Sequence, residues 1–135
     1  MEPIELKARR EGLGLNQEEM AAILGVKQTT LSRWESGHSA PRDPVEVEMM
    51  AGNVEDLHDR IIDELCELGE HSSAVRDSAG VVLRTYRTNE AYWEADAQAR
   101  EMRIPAALHR SAAAWARRIL ESEDGIEARI VEWRA

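Results

Sequence analysis

The stretch from Asn16 to Gly37 constrains this chain more than any other. Asn16 is a favoured helix N-cap and Glu19 stands three residues later, the pattern of a capping box. A helix from Gln17 to Leu24 follows, with Met20, Ala21 and Leu24 facing inward. Gly25 comes where a helix ends most cheaply in a left-handed residue. A second helix then runs from about Lys27 to Ser36, with Leu31 and Trp34 on one side and Gly37 closing it. Two such short helices joined by a tight glycine turn cross steeply, and the second is left protruding.

The flanks extend this pair. Residues 2–11 suit a helix with Pro3 in its first turn and Ile4, Leu6 and Ala8 as apolar surface; Gly12 and Gly14 end it. Residues 38–44 form a loop by their Pro, Ser and Asp content. From Val45 to Leu68 the apolar residues Val47, Met50, Val54, Leu57, Ile61, Leu65 and Leu68 recur at three or four, opposite an acidic face. Gly52-Asn53 leaves open whether this is one helix or two. It also stays open whether the stripe covers its own core or serves as a connector or dimer seam.

After Gly69 the pattern changes. Residues 72–77 and 80–88 read as a hairpin around Asp77-Ser78-Ala79-Gly80. Asn89 is expected to cap a helix to about Arg103, with Tyr92, Ala95, Ala99 and Met102 on one face. Pro105 starts another to about Ser122, striped by Leu108, Ala112, Trp115 and Ile119, and a strand closes from Ile126 to Trp133. The expected fold is mostly α: a four- or five-helix N-terminal domain over 1–70, then a small ββααβ domain of α+β type over 71–135.

The net charge is −9, but it is unevenly spread. Residues 1–44 hold six Lys/Arg against seven Asp/Glu, residues 45–71 hold one Arg against nine, and residues 72–135 hold ten of each. The excess acid therefore sits in one middle segment, which should face away from any polyanion. No apolar run reaches the roughly 20 residues of a membrane span. The single cysteine, Cys66, allows no internal disulfide and reads as a packing residue. With no apolar signal segment in MEPIELKARR, the expected location is the cytoplasm. His58, Cys66 and His71 lack regular ligand spacing and His109 stands alone, so no metal site and no cofactor are expected. No catalytic constellation is recognisable, and the chain is not expected to be an enzyme.

Residues 6–44 resemble the Cro-type (XRE) helix-turn-helix family. The resemblance rests on Asn16-Gln17 opening the second helix, Ala21 where the helices approach, and Gly25-Val26 at the turn. Leu31 and Trp34 as core residues and the ending Trp34-Glu-Ser-Gly37 complete it. It implies double-stranded DNA as partner, with the protruding helix in the major groove. It further implies that Gln28, Thr29 and Arg33 read bases, that Gln17 touches phosphate, and that Arg10 and Glu35 form a structural pair. Lys27, Ser32 and Ser36 also point outward from that helix, and His38 and Arg42 of the following loop are expected at phosphates. Lys27 departs from the family, which usually has Ser or Thr as N-cap there.

The resemblance leaves residues 72–135 unexplained. One such domain makes few DNA contacts, so a homodimer is expected, sealed by the edge of the tail sheet or by the 45–68 helix. The reading is a sequence-specific transcriptional regulator, in first place a repressor on a palindromic operator. The alternative is an antitoxin-type protein whose tail sequesters a protein partner.

Overall fold

Helix α1 (Pro3–Gly12) has Pro at its first position and no side-chain cap. It buries Leu6 and Arg10, while Ile4 and Ala8 lie at the surface. Helix α2 (Gln17–Leu24) begins with the anticipated capping box: Asn16 Oδ1 accepts from the Glu19 amide at 2.8 Å, and Glu19 Oε1 from the Asn16 amide at 3.0 Å. Gly25 ends it at φ +71°, a conformation costly for any residue with a Cβ. Helix α3 (Gln28–Glu35) starts at Lys27, whose side chain provides no cap. Asp43 caps helix α4 (Pro44–His71) by accepting from the Glu46 amide at 3.0 Å.

Gly52-Asn53 does not interrupt α4, so the N-terminal region has four helices. A helical glycine costs only about 1 kcal/mol, and Ala51 and Val54 on either side are buried. The structure describes residues 1–135 in a computed structural model, and the chain divides into two compact units, Met1–Leu57 and His58–Ala135. The division falls inside α4. The core of the first unit is Leu6, Leu13, Leu15, Met20, Ala21, Leu24, Leu31, Val47, Ala51 and Val54. Trp34, expected beside Leu31 in this core, is only half-buried.

In the second unit, a 3-10 turn (Ser73–Val75) replaces most of the expected first strand, leaving β1 as Arg76–Asp77. Strand β2 (Gly80–Thr85) pairs antiparallel with β1 and parallel with β3 (Ala128–Glu132), in the order β1-β2-β3. Parallel neighbours need a long crossover, supplied here by α5 (Asn89–Ala95), α6 (Ala97–Met102) and α7 (Ala106–Ser122). Cys66 of α4, Val81 and Leu83 of β2, and Ala116 and Leu120 of α7 form a core cluster. Burial and neighbouring carboxylates push the Cys66 thiol up, which suits a packing role.

The ββααβ expectation gave the order of elements but erred in detail. The helix expected over 89–103 breaks at Asp96, which ends α5 and caps α6 by accepting from the Ala99 amide at 3.0 Å. Thr88, not Asn89, caps α5. Asn89 instead accepts from the Ala106 amide at 2.8 Å. Trp115 is 48% exposed, and the inward face of α7 is Leu108, Ala112, Ala116 and Leu120. Ala95, Met102 and Leu68 are likewise exposed.

Candidate nucleic-acid interface

The site grows from α3. Leu31 and Glu35, four residues apart, turn inward, and the opposite side of the helix faces out. Gln28, Thr29, Arg33 and Ser36 are exposed, as is Lys27 just ahead of them, while Ser32 is half-buried. His38 and Arg42 in the following loop are exposed as well, and the His38 ring meets Ser36 Oγ at 2.8 Å. No intramolecular hydrogen bond or ion pair engages the side chains of Lys27, Thr29, Arg33 or Arg42. Within residues 27–42 the only acid is Glu35.

Glu35 is neutralised from α1. Arg10 Nε and Nη2 donate to its two oxygens at 2.8 and 2.9 Å, and Arg10 Nη1 donates to the Leu15 carbonyl at 2.9 Å. Burial alone would raise the Glu35 pKa, but hydrogen bonds from Arg10 and Gln17 outweigh it and hold the carboxyl below its ordinary range. The hydrogen bond to Glu35 in turn raises the Arg10 pKa. The ion pair is therefore intact across the neutral range.

The network continues outward to residues expected only at DNA. Gln17 Nε2 donates to Glu35 Oε1 at 3.1 Å, and Gln28 Nε2 donates to Gln17 Oε1 at 2.7 Å. An ionised carboxylate only accepts, so Gln17 must turn its amide nitrogen inward and its oxygen toward Gln28. That leaves Gln28 Oε1 and its second N–H for another partner. Chemistry at the surface is thus oriented by a charge pair in the core.

Sequence reasoning missed Arg9. Its guanidinium donates to Glu55 (Nε, 3.2 Å) and Glu48 (Nη1, 2.7 Å), tying α1 to α4. Two of the acids of the middle segment are thereby engaged within their own unit. The signal was the charge contrast between α1 and α4, but spacing along the chain does not reveal such a contact.

Residues 6–45 match the family described as Helix-turn-helix. This segment is a helix-turn-helix of the XRE type, and the match supports a DNA-binding regulator of transcription. No curated protein matches the chain. No helix is long and apolar enough to cross a membrane.

Proposed function

We propose that the chain is a repressor that reads a palindromic operator as a dimer, with α3 in the major groove. The observation that carries this is the oriented amide of Gln28 on an otherwise unengaged, acid-free helix face. Adenine offers N7 as acceptor and N6 as donor, which match the free N–H and Oε1 of Gln28. Arg33 fits guanine O6 and N7, and the Thr29 methyl suits a thymine methyl. Lys27, Ser32, Ser36, His38 and Arg42 ring these readers and serve phosphates. Gln17, at the N-terminus of α2, joins them there, where amides favour an anion. Arg10 and Glu35 hold the geometry and do not touch DNA. Residues 1–70 then bind DNA, and the tail joins two copies.

The test is footprinting of the purified protein on genomic fragments, with Gln28→Ala and Arg33→Ala beside it. Each variant is expected to lose about 1–3 kcal/mol of discrimination at one base position in each half-site. A protein that protects no preferred sequence, with Arg33→Ala binding as the parent does, overturns the proposal.

A further inference from the structure

β3 is the outermost strand of its sheet and pairs with β2 alone. In this ladder the Val81 amide donates to the Glu127 carbonyl at 2.9 Å, and the Trp133 amide to the Thr85 carbonyl at 2.8 Å. Alternation along the strand then assigns the backbone groups of Arg129 and Val131 to β2. Those of Ala128, Ile130 and Glu132 turn to the open edge. A Glu121 carboxylate meets the Ala128 amide at a long 3.4 Å, and no strand meets the others.

Proteins blunt such an edge with Pro, Lys, a bulge or a very short strand. The opposite edge follows that rule, since β1 has only two residues. The β3 edge does not. Its five residues hold no Pro and no Lys, and its register with β2 runs without a bulge from Val81↔Ala128 to Thr85↔Glu132. Ile130, at its centre, is 36% exposed. The charges beside it are already answered within the protomer: Arg129 Nη1 donates to Asp77 at 3.0 Å, and Arg87 to Glu132 at 2.9 and 3.1 Å. The charge repulsion that protects many edges is thus muted.

We propose that this edge is the seam between two copies of the chain, with their β3 strands antiparallel about a dyad at Ile130. The inference rests on the dimeric DNA-binding reading above and deepens it. A dyad normal to the sheet preserves its faces, so each residue can oppose only residues an even number of positions away. Centring on Ile130 sets Ile130 against Ile130 of the second copy and Ala128 against its Glu132, and all the outward backbone groups find partners. A dyad at Arg129 would bring two Arg129 side chains face to face. A dyad at Val131 would set Ile130 against a Glu132 and carry Ala128 past the end of the facing strand. The strand is therefore complementary to itself in one register. The competing seam is largely occupied within the protomer: α4 commits Val47, Ala51 and Val54 to one core and Ile61 and Cys66 to the other, and of the expected stripe only Leu68 is exposed.

The experiment uses the full chain, without DNA, in sedimentation equilibrium. The parent is expected at twice its 15.2 kDa chain mass. Ile130→Pro deletes an amide that β2 does not use, and Ile130→Lys adds an edge charge; both are expected at the single-chain mass with the parent's circular dichroism. Ile130→Cys should form a covalent dimer on mild oxidation, since hydrogen-bonded antiparallel partners have Cα atoms about 5.5 Å apart. The parent, with only the buried Cys66, should not. If Ile130→Pro or Ile130→Lys misfolds, the cross-link decides. A monomeric parent, or folded dimeric variants with no cross-link at Ile130→Cys, overturns the seam. Variants that remain dimeric and bind a specific operator sink this inference and spare the DNA-binding reading. Dimer loss in the variants, with a parent that prefers no DNA sequence, does the reverse.

Discussion

Removing Arg10 tests whether the helix-turn-helix geometry depends on a buried charge pair. Arg10→Met deletes two hydrogen bonds to Glu35 and one to the Leu15 carbonyl. Glu35, only 7% exposed, is left with the Gln17 amide alone. Breaking one side of a buried pair costs about 3–5 kcal/mol, because the orphaned charge has no water to return to. For a unit of this size that is a fall in Tm of more than about 10 °C. The loss should carry a pH signature. Without Arg10, burial dominates and lifts the Glu35 pKa above its unfolded value. The variant's folded state then holds a proton that the unfolded chain has lost, so its deficit against the parent narrows as pH falls toward the ordinary carboxylate range. Removing both partners, as Arg10→Met with Glu35→Leu, leaves no orphan and should restore most of the stability. Urea unfolding followed by circular dichroism at several pH values measures all of this. Additive single and double losses, or an Arg10→Met loss below about 1 kcal/mol, would refute the reasoning.

Other outcomes follow from single positions. Lys27→Ser supplies the missing cap and should stabilise α3 by about 1 kcal/mol, while the salt slope of DNA binding falls by about 0.9; an unchanged slope with equal affinity would remove Lys27 from the phosphate contacts. Gly80→Ala should destabilise the second unit by about 1–3 kcal/mol, because φ is +123° and a Cβ would lie 2.5 Å from the Glu127 carbonyl oxygen. Gly52→Ala, with open space around it in α4, should instead gain about 0.5–1 kcal/mol; thermal melts that rank the two the other way defeat the argument. Burial holds the His109 pKa down to about 4 from 6.5. The unfolded chain therefore takes up a proton first as pH drops, and about 3 kcal/mol of stability is lost between pH 6.5 and 4. His109→Gln should flatten that part of the pH profile.

What the sequence made legible was what local rules govern. The capping box at Asn16, the left-handed Gly25 and the packing of Leu31 follow from residues within a few positions of one another. The misreadings arise where tertiary contact chose between near-equal local options. On α7 a large apolar stripe through Leu108, Ala112, Trp115 and Ile119 has good helical spacing. The observed face keeps Leu108 and Ala112 and then turns by one position to Ala116 and Leu120, which pack with Val81 and Leu83. Periodicity registers hydrophobic character, not the volume a neighbouring strand leaves. Asp96 breaks a helical pattern because it caps better than it propagates, a local signal that the apolar stripe concealed. The parallel pairing of β2 with β3 joins residues far apart in the chain, and no turn between them announces it.

The acid content, at first sight an argument against DNA, bears on the same question of what contact adds to pattern. A net charge of −9 describes the chain, not the field at α3. Over residues 27–42 the lone acid is paired with Arg10, and Lys27, Arg33 and Arg42 are engaged in no ion pair of their own. On the first part of α4, Glu48 and Glu55 are engaged by Arg9 and so help to fasten α1, the helix that carries Arg10. The acids of that segment thus reach α3 indirectly. They brace the helix whose arginine neutralises Glu35, and Glu35 in turn sets the orientation of Gln17 and Gln28.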